Sequence, residues 1–130
     1  MEAGRKHLGE AELEVMLVVW GQECPVSASR VLEGLAGRRS WGLPTLMTVL
    51  SRLCAKGFLI CEKNGRSNFY TPLVEEADYQ EQEGRSLLER LYGNSLPSLV
   101  ASLHRGGAVG EEELAELRRF LDEAGKGEGK

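Results

Sequence analysis

The sequence predicts a mainly α-helical protein that carries one small β-hairpin, and three observations predict it. Leu46, Val49, Leu50 and Leu53 recur at i, i+3, i+4 and i+7, the apolar stripe of a helix. Pro44 suits that helix's first turn, and Gly57 can close it in a left-handed conformation. Directly after it, Phe58-Leu59-Ile60-Cys61 and Ser67-Asn68-Phe69-Tyr70 are β-prone runs around Asn64-Gly65, a dipeptide favoured in tight type I′ turns. Helical spacing of apolar residues then recurs on both sides of this centre. Lys63 and Arg66 bracket the turn, and a basic hairpin following an amphipathic helix is the winged helix-turn-helix arrangement.

Residues 1–7 read as a loose end. From Ala11 to Trp20, Leu13, Met16, Leu17 and Trp20 share a helical face that Val15, Val18 and Val19 widen. Glu10, Glu12 and Glu14 suit the positive end of that helix's dipole. Gly21 and Pro25 end it, and Pro25-Val26-Ser27 is an extended link able to add a strand to the later hairpin. Ser27 can cap a second helix reaching about Gly37, with Ala28, Val31, Leu32 and Leu35 inward and Arg30 outward. Arg38-Arg39-Ser40-Trp41-Gly42 is the turn into the third helix. It reads equally as a phosphate contact or as a solvated turn with Trp41 packed down.

Thr71-Pro72 breaks the second hairpin strand, and the chain then turns acidic. Three short helices follow. The first carries Leu87, Leu88, Leu91 and Tyr92, and the second carries Leu96, Leu99, Val100 and Leu103 after Asn94-Ser95. Past Gly106-Gly107, the third spans Glu111 to Ala124 with Leu114, Leu117, Phe120 and Leu121 inward. Three short helices hold little core of their own. Leu87, Leu88, Leu91, Leu96, Leu99, Leu103, Leu114, Leu117 and Leu121 therefore form a candidate homodimer interface. Gly125 to Lys130 alternates glycine with charge and reads as a disordered tail. The expected organisation is a winged helix over 1–72, a helical dimerisation region over 73–124, and the tail over 125–130.

The outward face of the third helix carries Pro44, Thr48, Ser51, Arg52 and Ala55, flanked by Thr45 and Met47. Short side chains, hydroxyls and one cation let a helix approach a groove closely and reach phosphates or base edges. The charge distribution points the same way. Net charge is −4, yet Val26 to Pro72 holds seven cations and two acids, while Leu73 onward holds seven cations and thirteen acids. A basic half beside an acidic half marks a protein that meets a polyanion with one half only. Arg38, Arg39, Pro44, Thr45, Met47, Thr48, Ser51, Arg52, Lys63 and Arg66 are accordingly the candidate contacts to duplex DNA. The alternative is a winged helix used for protein–protein contact, which Met47 on a small-residue face would suit.

Other classes find little support. There is no H-E-x-x-H, no G-x-S-x-G and no dinucleotide glycine motif, so no enzyme and no cofactor are expected. Cys24, Cys54 and Cys61 are an odd number without a C-x-x-C pair, which suggests neither a disulfide framework nor a zinc site and favours buried reduced thiols over a redox or metal sensor. No apolar run nears the roughly 18 residues of a membrane span, and no signal peptide is legible, so a cytoplasmic protein without a membrane partner is expected.

Order and residues together resemble the penicillinase repressor family of winged-helix repressors (the BlaI/MecI/CopY type). The matching pieces are Leu8-Gly9-Glu10-Ala11-Glu12, Val15-Met16 to Trp20, Val26-Ser27-Ala28, and Thr45-Leu46-Met47-Thr48-Val49-Leu50-Ser51-Arg52-Leu53. They continue through Lys56-Gly57, Gly65-Arg66, Tyr70, Pro72, Leu91-Tyr92-Gly93 and Ser98-Leu99-Val100. The resemblance implies a sequence-specific transcriptional repressor, a homodimer with interlocking C-terminal helices on a palindromic operator. For the antibiotic-resistance branch it also implies release by a sensor-activated protease, at a position that falls near Ser102-Leu103. The chain departs from the pattern at Met47, where members usually carry Lys or Arg, and at Pro44 in place of a polar residue. Ser102-Leu103 stands where well-known members have Asn-Phe, and the paired C-terminal cysteines of the copper-responsive branch are missing.

Overall fold

In the computed structural model, which describes residues 7–128, helices and short strands follow one another as α1 (Glu10–Trp20), β1 (Val26–Ser27), α2 (Ala28–Leu35), α3 (Leu43–Ala55), β2 (Leu59–Asn64), β3 (Ser67–Pro72), α4 (Glu76–Tyr92), α5 (Leu96–Arg105) and α6 (Glu111–Glu128). The chain forms two compact units that divide between Glu83 and Gly84, inside α4. Residues 1–6 of the expected loose end, and 129–130 of the expected tail, lie outside the described residues.

The first unit is built around the apolar stripe of α3. Leu46, Val49, Leu50 and Leu53 are all buried, together with Val31 and Leu35 of α2 and Phe58 and Leu59 at the start of the hairpin. Ser27 caps α2 as its sequence suggests, accepting a hydrogen bond from the Arg30 N–H at 3.2 Å. α3 stops where Gly57 takes φ +88°, and the Phe58 N–H then bonds the Leu53 carbonyl at 2.9 Å, satisfying a helix-end acceptor.

α1 is rotated from its expected orientation. Its buried residues are Glu12, Val15, Met16 and Val19, whereas Leu17 is 39% exposed and Leu13 and Trp20 only partly covered. The reason is polar. Glu12 accepts from the Gly9 N–H at 2.9 Å, half of a capping box, and from Lys56 Nζ at 2.6 Å. A carboxylate anchored on both sides can enter the core, and it carries its helical face with it.

The sheet has the order β1-β3-β2, antiparallel throughout. Val26 and Ser27 pair with Tyr70 and Phe69, so the short link after α1 does add a strand. The hairpin register pairs Asn64 with Ser67, which makes Gly65-Arg66 the two central turn residues rather than Asn64-Gly65. Gly65 has φ +68°, and glycine first in a two-residue turn is the type II′ choice, not the I′ turn that the dipeptide suggests. The one-residue slip places Arg66 at the very tip and Lys63 one rung back, opposite Asn68. β3 runs through Pro72, which pairs with Leu59 at the strand's end.

This unit does not stop at residue 72. Val74 and Tyr79 are buried in its core. Tyr79 packs edge-on to Phe58 at 5.7 Å and against Trp20 at 6.0 Å, and its hydroxyl accepts the Leu8 N–H at 2.9 Å. Trp20 in turn donates to the Val74 carbonyl at 2.8 Å. The first two turns of α4 thus complete the winged-helix core.

The second unit comprises the rest of α4 with α5 and α6. Gly93 and Asn94 both take positive φ at the end of α4, and Ser95 caps α5 by accepting from the Ser98 N–H. None of its described side chains is buried. Phe120 and Leu121, expected inward, are 64% and 49% exposed. α6 continues past Ala124 through Gly125 to Glu128, where a tail was expected, because each residue added to an existing helix gains a bond without a new nucleation cost.

Candidate nucleic-acid interface

α3 and the hairpin expose most of the predicted groups. Pro44, Thr45, Thr48, Ser51, Arg52 and Ala55 are all exposed, as the 100° spacing requires of residues opposite a buried stripe. No acid lies on α3, so nothing on the helix repels an anion. Thr48 Oγ1 donates to the Pro44 carbonyl at 3.2 Å, which leaves the hydroxyl oxygen free to accept a hydrogen bond. Lys63 and Arg66 are exposed at the end of the hairpin, and Arg38 is exposed before α3.

Two of the seven cations of this segment are already engaged. Arg39 meets Glu14 at 2.5 Å and lies 5.3 Å over the Trp41 ring, so it braces the turn against α1. The hydrogen bond from Arg39, with its positive charge, holds the Glu14 carboxyl below its ordinary range. Trp41 is packed against the core, as one of the two readings of the turn expected. Lys56 is held by Glu12 and by the His7 carbonyl at 3.3 Å. Arg30, Arg38, Arg52, Lys63 and Arg66 make no ion pair among the described residues and remain exposed. The basic surface is therefore narrower than the charge count and falls on α2, the turn after it, α3 and the hairpin tip.

Met47 is not with the outward group. It is half-buried against the core, and its Sδ accepts a hydrogen bond from the Tyr70 hydroxyl at 3.9 Å. Its remaining surface lines a notch of about 170 Å³ with Leu43, Ser29, Arg66 and Asn68, between the start of α2 and the hairpin. Ser29, Ser67 and Asn68 also line it and were not among the predicted contacts.

In the second unit, Leu87, Leu91, Leu96, Leu103 and Leu121 are exposed, and Leu88, Leu99, Leu114 and Leu117 are half-covered. Phe120 is the largest apolar side chain left uncovered there and was absent from the leucine stripe. Ser102 and Leu103 lie inside α5, and Ser102 Oγ accepts from the Tyr92 hydroxyl at 3.2 Å. Among the described residues no helix is long and apolar enough to cross a membrane, and no group of three or more His, Cys, Asp or Glu is placed to hold a metal.

A profile of the penicillinase repressor family matches residues 8–123. The penicillinase repressor of Bacillus licheniformis is 36% identical over 116 residues, 89% of this chain and 90% of that protein. The methicillin resistance regulatory protein MecI of Mammaliicoccus sciuri is 30% identical over 115 residues, 88% of this chain and 93% of that protein. Among solved structures, the solution structure of the DNA-binding domain of the repressor BlaI is 37% identical with a TM-score of 0.51, covering 58% of this chain and 90% of that one.

Proposed function

Because the chain belongs to the penicillinase repressor family, we propose that it is a transcriptional repressor that binds a palindromic operator as a homodimer in the cytoplasm. The observation that carries this reading is the acid-free, exposed face of α3 beside the cationic hairpin tip. Pro44, Thr45, Thr48 and Ser51 let α3 approach the major groove, with Met47 at its edge. Arg38, Arg52, Lys63 and Arg66 neutralise phosphates and set the register. Arg39 contributes by shaping the turn.

The exposed leucines of the second unit, with Phe120 added to them, are the surface for the second copy. Tethering two basic modules raises the effective concentration of the second, so dimeric binding should exceed monomeric binding by roughly 10²–10⁴. Release by cleavage at Ser102-Leu103 would require a turn of α5 to unwind first, since a helical bond is not extended for a protease.

A randomised-site selection with the intact protein tests the reading. The expected product is a palindrome, with affinity that falls steeply as salt rises. Recovery of no preferred sequence, with weak and salt-insensitive retention on duplex DNA, would overturn it. Phe120→Glu should leave the first unit folded and shift sedimentation from dimer to monomer; an unshifted dimer would remove α6 from the interface.

A further inference from the structure

Buried thiols were expected, yet Cys24 and Cys61 are exposed. The larger departure is the rotation of α1. Leu13, Leu17 and Trp20, spaced i, i+4 and i+7 for the core, stand at its edge instead, and with Leu8 they wall a groove of about 370 Å³. The other wall is the start of α4, where Glu76, Tyr79, Gln80 and Glu83 share one helical stripe. Along that stripe an aromatic ring stands between two carboxylates.

The polar atoms of both aromatic residues are used inside the fold. Trp20 Nε1 donates to the Val74 carbonyl, and the Tyr79 hydroxyl accepts the Leu8 N–H. What the pair offers the groove is ring surface, with centroids 6.0 Å apart. Glu83 is met by His7 Nδ1 at 3.0 Å, whereas Glu76 makes no ion pair among the described residues. Among the described residues no Lys or Arg lines the groove.

We propose that this groove between α1 and α4 binds a small organic cation, an ammonium head carried on an apolar, aromatic body. Its volume suits such a molecule, since small-ligand pockets run from about 300 to 1,000 Å³ and are mostly apolar with a few polar groups. The body displaces water from Leu13 and Leu17. The head is drawn by the Trp20 and Tyr79 rings and by the carboxylates together, because ring quadrupole and anion attract the same charge. An apolar side chain of another protein would fill the space but strip water from Glu76 without supplying a counter-charge. None of the lining residues belongs to α3 or the hairpin, so the site does not rest on the DNA-binding reading.

Titration of the full-length protein with phenylpropyltrimethylammonium, and separately with phenylpropanesulfonate, decides the proposal. The two probes carry opposite charges on the same body, and backbone and indole N–H resonances report where each one binds. The cation should give saturable shifts at Leu8, Leu17, Trp20 and Gln80 with a Kd of about 0.1 mM. The sulfonate should bind at least about tenfold more weakly. Leu17→Gln, at an exposed position, should weaken the cation by about fivefold. Glu76→Gln/Glu83→Gln should bring the two probes within about threefold of each other. Equal affinities for both probes in the parent protein would overturn the charge assignment. Shifts confined to the exposed leucines of the second unit, or no saturable shift at all, would overturn the site. A cation affinity that falls as protein concentration rises would give the groove to a second copy of the chain and overturn the small-ligand reading.

Discussion

Lys56→Met removes one partner of the contact that draws Glu12 into the core. Lys56 Nζ and the Glu12 carboxylate are 2.6 Å apart, with side chains 26% and 11% exposed. Exposed pairs are worth about 0.2–1 kcal/mol, and breaking a buried pair costs about 3–5 kcal/mol. This pair lies between those limits, so the loss should be about 2 kcal/mol, with the Lys56–His7 carbonyl bond included in it. For a unit of this size that corresponds to a fall in Tm of about 8–16 °C. Both tryptophans, Trp20 and Trp41, lie in the first unit, so their fluorescence during urea unfolding reports on that unit alone.

The pH dependence supplies an independent check on the cause. Burial pushes the Glu12 carboxyl up, but the hydrogen bonds from Lys56 and Gly9 and the charges of Lys56 and Arg52 outweigh it and hold it below its ordinary value. A depressed folded pKa contributes stability that is complete above the unfolded carboxylate value of about 4.3 and is lost as pH falls through the folded value. Lys56→Met should therefore flatten this acid limb as well as lower the plateau. Glu12→Gln/Lys56→Met should recover about 1 kcal/mol, because it leaves no charge stranded in the core and keeps an acceptor for the Gly9 N–H. Equal stability and an equal acid limb in Lys56→Met and the parent protein would refute the reasoning.

Further outcomes follow from the interface. Arg66→Ala should weaken all duplexes alike and lower the salt slope by about 0.9 per lost phosphate contact in each subunit; an unaltered slope would take the hairpin tip off the DNA. Met47→Arg should change which operator is selected, because a thioether at the edge of α3 favours a thymine methyl and a guanidinium favours guanine; an unaltered preference would confine Met47 to packing on Tyr70. A fragment ending at Leu73 should be less stable than one ending at Glu83 by about 3–5 kcal/mol, the usual cost of losing a buried aromatic, and equal urea midpoints would place Tyr79 outside the core.

The parts of the fold legible in the sequence were those set by local periodicity. The α3 stripe, the Ser27 cap and the Gly57 stop each depend on residues within a few positions, and each formed as read. What was not legible depends on partners far along the chain. The rotation of α1 turns on Lys56, 44 residues from Glu12, and the reach of the first unit turns on Tyr79 finding Leu8, Trp20 and Phe58. The hairpin register slipped by one because Asn64-Gly65 and Gly65-Arg66 both satisfy a two-residue turn, and only the pairing of the flanking strands chooses between them. Arg39 was indistinguishable from Arg38 by sequence, since only the fold brings Glu14 beside one of them.

The strand order β1-β3-β2 has a consequence for solubility. β3 is covered on both sides, which leaves β2 with one row of main-chain donors and acceptors that no strand of the described residues takes up. Five consecutive residues of it, Ile60 to Asn64, are exposed, and such an edge is a template on which a second polypeptide can crystallise a ladder. Glu62 and Lys63 sit in the middle of that edge, and an incoming β-rich segment would have to strip water from both charges. The same lysine offered to a phosphate thus also guards the hairpin against fibril-like growth, so mutating it for DNA affinity alone removes a safeguard against aggregation.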